Sequence, residues 1–420
     1  MTEISTAAEV SGRPFEWFRS LSATGKRAFF GAFGGYGMDS YDFQVLPLAL
    51  AAITSYFAIS TGQAGLLTTV TLVLSAVGGA AAGVLADRIG RVRTLQITIA
   101  VYALFTVACG FAWDYPSLLV FRALQGLGFG GEWAAGAVLV AEYSRPEYRG
   151  RTVGFVQSAW AVGWGLAVCV YTVLFQVFDP ATAWRALFIT GAMPALLIIW
   201  VRRNVGDAEI ATVQRTVGER GRIQSLFGRE LWRTTVFAAI MATGVQGGYY
   251  TLATWLPTYL KKSRHLTVVG TGGYLFLLIG GAFLGYLTGS VLTDRIGRKR
   301  NIQLFALLSV IFMVGYIQVP HGANTLVLLL GVPLGFSTSA IFSGFGSYLA
   351  ELFPTPQRGT GQGFVYNFGR GVGAVFPTAV GYLASTTLGL AGAMLFGALG
   401  YALAVLALFG LPETLGKPLR

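Results

Sequence analysis

Twelve apolar stretches, each nearly free of charge, constrain this chain more than any other feature. A helix needs about 20 consecutive apolar residues to cross the hydrocarbon layer of a membrane. The stretches lie at 27–51, 62–86, 94–113, 117–141, 152–178, 183–201, 233–259, 268–292, 302–319, 325–350, 361–384 and 390–411. They lack the alternating polarity, over about ten residues, that outer-membrane strands would show. The sequence therefore predicts an all-α polytopic membrane protein with twelve transmembrane helices.

The charged residues agree with this class. Only 11% of residues are charged, against about 25% in soluble domains. A net charge of +12 would favour nucleic-acid binding on a soluble surface. However, 24 of the 30 Lys and Arg residues fall in the N-terminus, the C-terminus and the loops on one side, and four fall in the loops on the other. Basic residues collect in cytoplasmic loops. We therefore expect both termini in the cytoplasm and no nucleic-acid partner.

The longest of the basic loops divides six predicted spans from six. It separates two six-helix bundles at 27–201 and 233–411, with a cytoplasmic linker at 202–232 between them. Cytoplasmic ends at 1–26 and 412–420 complete the predicted organisation.

The two halves share a charged loop segment. Gly-Val-Leu-Ala-Asp-Arg-Ile-Gly-Arg at 83–91 recurs as Gly-Ser-Val-Leu-Thr-Asp-Arg-Ile-Gly-Arg at 289–298, with Asp87 and Asp294 207 residues apart. A second pattern of one glutamate followed by an arginine seven residues later recurs at an offset of 209. Parallel repeats of this kind place a binding site at their interface near the bilayer midplane, opened to each side in turn.

The repeated charges are candidate gating residues, because an aspartate beside arginines at a helix end can form a latch between the halves. The alternative is that they are solvated charges of the cytoplasmic face. The candidate gating residues are Asp87, Arg88, Arg91, Glu142, Arg149, Asp294, Arg295, Arg298, Glu351 and Arg358.

These motifs resemble those of the major facilitator superfamily. The Gly-x-x-x-Asp-Arg-x-Gly-Arg motif is present at 83–91 and recurs at 289–298 with one more residue between the glycine and the aspartate. The run from Arg122 to Gly126 matches the fourth-helix pattern, and the run from Pro412 to Gly416 matches the ending of sugar and organic-acid porters. The resemblance implies two pseudo-symmetric six-helix bundles and a transport function.

Three further motifs resemble the sialate/lactate and aromatic-acid proton symporter groups of that superfamily. They are the Asp-x-x-Asp pair at Asp39 and Asp42, Gly-Glu-Trp at 131–133, and Tyr-Asn-Phe-Gly-Arg at 366–370. This narrower resemblance implies proton-coupled uptake of an acid.

Few formal charges lie well inside the predicted spans. A charge there costs several kcal/mol unless it faces a partner or a cavity, so such residues mark transport pathways. The five are Asp39, Asp42, Arg122, Glu132 and Arg370.

Asp39 and Asp42 lie about 60° apart on one helix face. Two carboxylates close together in a low-dielectric site cannot both ionise cheaply, which suits a proton carrier. We therefore assign proton coupling to these two residues and to Glu132. The alternative is that one aspartate anchors a neighbouring helix through an arginine. Both histidines, His265 and His321, fall in outer loops, away from the midplane.

Arg370 indicates an anionic cargo, because its guanidinium can hold a carboxylate in a bidentate grip. Asn367 and Tyr366 precede it on the same helix and are candidate contacts. The alternative is a buried ion pair between Arg370 and Asp39 or Asp42. The superfamily resemblance makes Arg122 a proton-linked or substrate-facing residue, and its alternative is an ion pair with Glu132.

Span seven corresponds to span one in the repeat, so its polar and aromatic residues are candidate pocket walls. Adding 207 to Asp39 reaches Gln246, close to Tyr249 and Tyr250. Gln157 and Trp160 in span five are also candidates, because the repeat offset relates them to Tyr366 and the neighbourhood of Arg370 in span eleven. We expect Trp255 to be an anchor at the membrane interface.

Together, these features predict a transporter that imports a small organic carboxylate by proton symport and alternating access. The alternative is a neutral-solute symporter, for a sugar or polyol, with Arg370 structural. No enzyme or cofactor site is predicted, because the sequence has no metal-ligand cluster, activated nucleophile or phosphate-binding loop. Cys109 and Cys169 lie in apolar stretches, so neither a disulfide framework nor a zinc site is predicted. We expect a monomer in the inner (plasma) membrane whose partners are its cargo, protons and the bilayer.

Overall fold

The computed structural model describes residues 16–89, 91–129, 149–193 and 223–415. Within these ranges the chain forms fifteen α-helices and no strand. In the first half they are α1 (Glu16–Arg19), α2 (Ala23–Tyr56), α3 (Thr61–Ile89), α4 (Arg91–Gly110), α5 (Tyr115–Phe129), α6 (Arg149–Gln157), α7 (Ala159–Val177) and α8 (Pro180–Ile189). In the second half they are α9 (Trp232–Thr258), α10 (Val268–Ile296), α11 (Arg298–Gln318), α12 (Asn324–Glu351), α13 (Arg358–Gly373), α14 (Val375–Leu383) and α15 (Gly389–Leu408).

The all-α fold predicted from the sequence is confirmed. Each predicted span coincides with helix in the described residues, and spans four and six continue beyond them. Among the described residues, six helical segments are long and apolar enough to cross a membrane by themselves: Thr61–Ala82, Gly154–Val177, Val268–Ile296, Arg298–Gln318, Asn324–Glu351 and Gly389–Leu408. Spans five and eleven are each divided into two helices, at Ser158 and at Ala374.

Local sequence explains where several helices begin and end. The Ser22 hydroxyl accepts from the backbone N–H of Gly25 at the start of α2, and Thr267 caps α10 in the same way through Gly270. Such caps satisfy backbone donors that a helix start leaves unpaired. α10 ends at Gly297, whose φ of 107° is a conformation that glycine adopts without strain.

Helices pack into two bundles. In the first bundle, α2 packs against α7 and α3 against α5. In the second bundle, α10 packs against α12 and α9 against α15. The contact surface between the bundles, called the seam below, is formed mainly by α3 with α14, α10 with α6 and α7, and α9 with α2.

The seam is tightly closed at the end of the molecule where α2 ends and α3 begins, called the Tyr56 end. The Thr61 hydroxyl donates to the Gly381 carbonyl across the seam at 2.7 Å, and the Thr69 and Thr378 hydroxyls lie 2.6 Å apart. The opposite end, where α12 ends, is called the Glu351 end. The candidate gating residues of the second half lie there.

Candidate functional site

A buried hydrogen-bond network surrounds Asp42 in the first bundle. Asp42 lies on α2 and is 1% exposed. The Thr106 hydroxyl of α4 donates to its Oδ1 at 2.6 Å, and the Gln125 amide of α5 donates to its Oδ2 at 2.6 Å. The Thr106 hydroxyl also lies 2.8 Å from the carbonyl of Tyr102. Both carboxylate oxygens therefore have a donor.

Gln125 joins this network to Arg122. The Arg122 guanidinium donates to the side-chain oxygen of Gln125, while the nitrogen of the same amide donates to Asp42. Arg122 is 2% exposed and its charge acts on Asp42. Its predicted partner Glu132 lies outside the described residues. Asp39, one turn before Asp42, is also buried, at 4% exposed.

Arg370 lies on α13 in the second bundle and packs against aromatic rings from both bundles. Its guanidinium carbon is 5.2 Å from the ring centre of Tyr366 and 5.6 Å from that of Phe129, which belongs to α5. Tyr250 also interacts with the guanidinium. No ion pair between Arg370 and Asp42 is present in the described parts of the chain.

An aromatic cluster lines the seam beside Arg370. Phe43 of the first bundle has its ring centre 5.7 Å from Trp160 and 6.0 Å from Tyr250 of the second bundle. The Trp160 indole N–H donates to the hydroxyl of Tyr249 across the seam. Tyr249 in turn packs against Phe342 at 5.3 Å. Flat rings from both bundles thus meet next to a buried cation.

Gln246 ties two helices of the second bundle together at this point. Its amide nitrogen donates to the Tyr366 carbonyl at 3.0 Å, and its amide oxygen accepts from the Tyr250 hydroxyl at 3.0 Å. The structure therefore brings together most of the predicted pocket residues: Trp160, Gln246, Tyr249, Tyr250, Tyr366 and Arg370.

Other predicted pocket residues have local partners or different surroundings. The Asn367 amide donates to the carbonyl of Gly363 in its own helix. Gln157 is buried as the last residue of α6. The expectation that Trp255 anchors the membrane interface is wrong: it is 1% exposed, and its indole donates to the Pro377 carbonyl at 3.0 Å.

The candidate gating residues of the second half form an ion-pair network at the Glu351 end. Arg298 pairs with Asp294 at 3.2 Å and with Glu351 at 3.1 Å. Arg295 is exposed, and Arg358 donates to the hydroxyl of Thr355. These ion pairs join helices of the second bundle to each other. The three charges come together from α10, α11 and α12, and a link between the halves stays a prediction.

The candidate gating residues of the first half have no described side-chain contacts. Asp87, Arg88, Arg91 and Arg149 lie in helices, but the structure does not describe their side chains. Glu142 lies outside the described residues.

Glu413 extends the network through backbone contacts. Its carboxylate accepts from the backbone N–H groups of Arg298 at 2.9 Å and Arg300 at 3.2 Å, the first turn of α11. A carboxylate at a helix start is stabilised by the unpaired N–H groups there. The next residue, Thr414, donates its hydroxyl to Glu351 at 2.5 Å. The Pro-Glu-Thr ending thus connects the end of the chain to the charged network.

Sequence analysis missed several residues of both sites. Thr106 has no charge, so a search for charges inside spans passes over it. Phe43, Phe129 and Phe342 are aromatic residues in a chain with 14% aromatic residues, and only their meeting at the seam distinguishes them.

Two bundles of membrane-spanning helices, with charged residues buried beside the seam between them, are typical of polytopic membrane transporters. The family model of the Major Facilitator Superfamily matches residues 32–377 and 281–420 of this chain. The chain belongs to the Major Facilitator Superfamily and is a transporter of a small molecule, not an enzyme.

Relatives agree with this class. A probable 4-methylmuconolactone transporter of Cupriavidus pinatubonensis is 40% identical, over 96% of this chain and 94% of its own length. A cis,cis-muconate transport protein of Acinetobacter baylyi is 30% identical, over 87% of this chain and 89% of its own length. Among solved structures, a D-xylose-proton symporter superposes with a TM-score of 0.74 at 20% identity, covering 93% of this chain and 99% of its own. That last likeness concerns the fold alone.

Proposed function

We propose that this chain is a proton-coupled symporter that imports a small organic carboxylate by alternating access. The observation that carries the proposal is a buried arginine, Arg370, beside an aromatic cluster at the seam, close to a buried carboxylate network in the other bundle. The names of the two relatives, which denote carriers of a lactone and of a dicarboxylate, support an acidic or related cargo.

The cargo carboxylate binds the guanidinium of Arg370. An arginine fork donates two parallel hydrogen bonds to a carboxylate. Its faces already pack on Tyr366 and Phe129, which fixes the plane of the fork. The rings of Phe43, Trp160 and Tyr249 suit a flat, unsaturated carbon skeleton. Gln246, Tyr250 and Asn367 supply amide and hydroxyl groups for further polar contacts.

Asp42 carries the proton in this proposal, with Asp39 and Glu132 as further candidates. The network can satisfy Asp42 in both charge states. When the carboxylate is charged, the Thr106 hydroxyl donates to Oδ1. When a proton binds Oδ1, the Thr106 hydroxyl turns to the Tyr102 carbonyl and accepts from the acid. Gln125 keeps donating to Oδ2 throughout.

Two helices connect the proton network to the cargo site. On α2, Phe43 of the aromatic cluster directly follows Asp42. On α5, Phe129 beneath Arg370 lies one turn after Gln125. A change in the network on proton binding therefore shifts rings that contact the cargo. Coupling follows if this shift favours one arrangement of the seam over the other.

The proposed orientation follows from the basic loops. The protein lies in the inner membrane. Its Glu351 end and both termini face the cytoplasm, and its Tyr56 end faces outside. The seam contacts of Thr61 and Thr69 close the outer side and must open for loading. The charged network of Arg298, Glu351 and its repeat around Asp87 then acts as the gate on the inner side.

The test is uptake by the purified protein in liposomes with an imposed pH gradient. We expect uphill uptake of cis,cis-muconate, and little of xylose. Asp42→Asn is expected to abolish uphill uptake while leaving cargo exchange. Arg370→Ala is expected to lose cargo binding, and Arg370→Lys, which keeps the charge without the fork, to retain part of it.

Two results would overturn the proposal. Undiminished accumulation by Asp42→Asn removes the proton-coupling role. Unchanged carboxylate affinity in Arg370→Ala, together with uptake of a neutral sugar or polyol, favours a neutral-solute symporter in which Arg370 is structural.

A further inference from the structure

Four basic residues of the described chain lie at the Tyr56 end, and the two arginines among them are held by protein groups. Arg185 stacks on Trp184, with 4.1 Å between the guanidinium carbon and the ring centre, and donates to the Ala112 carbonyl. Arg264 is buried and donates to the Pro320 carbonyl at 2.9 Å.

The other two, Lys261 and Lys262, lie in a π-helical turn, Tyr259–Ser263, that follows α9. They line a cavity of about 420 Å³, called the lysine cavity. Its opposite wall belongs to the first bundle and is formed by Ala51, Ala52, Ser55 and Tyr56 of α2 with the start of α8 at 179–181. The cavity therefore straddles the seam.

Lys261 reaches across that seam. Its amine lies 5.4 Å from the ring centre of Phe175, on α7 of the first bundle. Burial lowers the pKa of Lys261, and the charge of the neighbouring Lys262 lowers it further. Two like charges that are partly removed from water favour an anion between them.

The nearby carboxylates are already used by helix starts. Asp179, in the wall of the cavity, accepts from the backbone N–H groups of Ala181 and Thr182. Asp114 accepts from the backbone N–H of Ser117. In the parts of the chain that the structure describes, no ion pair is formed by either lysine. With two lysines and one charged aspartate in its lining, the cavity has a net charge of +1 that is left for a ligand.

We propose that the lysine cavity is a second anion-binding site, which holds a small carboxylate with an apolar body at the outer mouth of the seam. The ammonium groups bind the carboxylate, and the alanines with Tyr56 contact the carbon skeleton. The inference rests on the proposed function for the outward orientation of this end. Because it straddles the seam, the site raises the concentration of cargo where the outer gate opens.

The direct test is nuclear magnetic resonance of the full chain carrying ¹³C-dimethylated lysines. The chain has five lysines, at positions 26, 261, 262, 299 and 417, so five signals can be assigned by single Lys→Arg variants. The protein is placed in phosphatidylcholine nanodiscs and titrated with cis,cis-muconate. Sodium chloride at equal ionic strength is the reference.

We expect saturable shifts of the Lys261 and Lys262 signals, with Lys26 and Lys299 unchanged. The same shifts are expected in Arg370→Ala, because the lysine cavity and the cargo site at Arg370 are separate. A result in that variant therefore does not depend on the central cargo site. Absence of a shift, or a shift equal to that with chloride, overturns the proposal. So does a shift produced by added phosphatidylglycerol but not by muconate, since the cavity then binds a lipid headgroup.

A transport measurement adds a functional readout. Lys261→Gln/Lys262→Gln is expected to raise the KM for muconate about three- to tenfold at low ionic strength, with kcat unchanged, and to remove the dependence of KM on salt. Lys261→Arg/Lys262→Arg, which keeps both charges, is the matched control. Equal KM values for the Gln and Arg variants at every salt concentration overturn the role in cargo capture.

Discussion

The amide nitrogen of Gln125 lies 2.6 Å from Oδ2 of Asp42, deep in the first bundle. The two residues are 83 positions apart and belong to α5 and α2. Because the oxygen of the same amide accepts from Arg122, one side chain holds a buried anion and a buried cation in fixed relation. Replacing it affects both charges at once.

Gln125→Leu is expected to destabilise the protein by about 1–3 kcal/mol, because it leaves buried groups of Asp42 and Arg122 without a partner. Thermal unfolding of the purified protein measures this. Gln44→Leu is the matched control: Gln44 is fully buried, and its amide makes no hydrogen bond to the described residues. Equal losses in both variants would contradict the prediction.

Thr106→Val keeps the shape of the side chain but removes the hydroxyl that turns between Asp42 and the Tyr102 carbonyl. We expect uptake driven by a pH gradient to fall at least tenfold, with cargo exchange retained. Thr106→Ser restores the hydroxyl and should restore uptake. Liposome assays of gradient-driven uptake and of exchange separate the two activities. Normal accumulation by Thr106→Val would show that the hydroxyl has no part in coupling.

Tyr250→Phe removes a hydroxyl that donates to Gln246 and interacts with Arg370. We expect Tyr250→Phe to bind cis,cis-muconate roughly fivefold more weakly, because the loss of one such contact costs about 1 kcal/mol of binding free energy. Calorimetric titration with cis,cis-muconate measures the change. Tyr401→Phe should bind as the unmodified protein does, because the buried Tyr401 hydroxyl has no hydrogen-bond partner within the described residues. The prediction fails if the two variants bind alike.

Gly65→Ala is expected to shift the protein towards the conformation that is open at the Tyr56 end. A Cβ on Gly65 would lie 2.5 Å from the Pro377 carbonyl oxygen across the seam, so the bundles must separate there. Gly165→Ala also faces the seam, but its nearest contact would be an ordinary 3.7 Å.

The measurement is the distance between spin labels at the exposed positions Trp113 and Leu388, in a Cys169→Ser background. Longer distances are expected for Gly65→Ala alone. A distribution unchanged from that of Gly165→Ala would show that this seam tolerates the methyl group.

Glu413 gives a pH-dependent contribution to stability. Burial acts to raise the pKa of Glu413, but hydrogen bonds from backbone N–H groups outweigh it and hold the pKa below the usual value. A carboxyl with a lowered folded pKa stabilises the protein above its unfolded pKa, near 4.3, and this contribution is lost as the pH falls through the folded value.

Glu413→Gln is therefore expected to lower stability by about 1 kcal/mol at pH 7. The difference in stability between the two proteins should stay constant from pH 7 to about pH 5 and should narrow as the pH falls below the unfolded pKa, near 4.3. Unfolding curves of both proteins between pH 7 and pH 3 measure it. A difference that does not narrow at all between pH 5 and pH 3 would mean that the charge of Glu413 is not what stabilises α11.

Much of the fold follows from quantities that are local in the sequence. The length of each apolar stretch relates directly to membrane thickness, so span positions are visible without a structure. The cost of a buried charge is equally local, and it singled out Asp42, Arg122 and Arg370 before any contact was known. The repeat of Asp87 at Asp294 likewise indicated two related halves.

The partners of these residues could not be predicted, because they depend on which helix faces meet. Thr106 contacts Asp42 from 64 residues away and has no feature that distinguishes it from other threonines in apolar spans. Glu413 reaches the start of α11 across 115 residues, and Trp255 is drawn inward to the Pro377 carbonyl instead of the interface.

The sequence by itself determined the class of molecule, its spans and the few charges on which function depends, because those follow from the free energy of placing each residue in hydrocarbon. Only the tertiary structure decided that Asp42 is bound by Thr106 and Gln125 while Arg370 packs on Phe129 and Tyr366. The reason is physical: hydrogen bonds and ring contacts act over a few ångströms, and the packing of distant helices sets those distances.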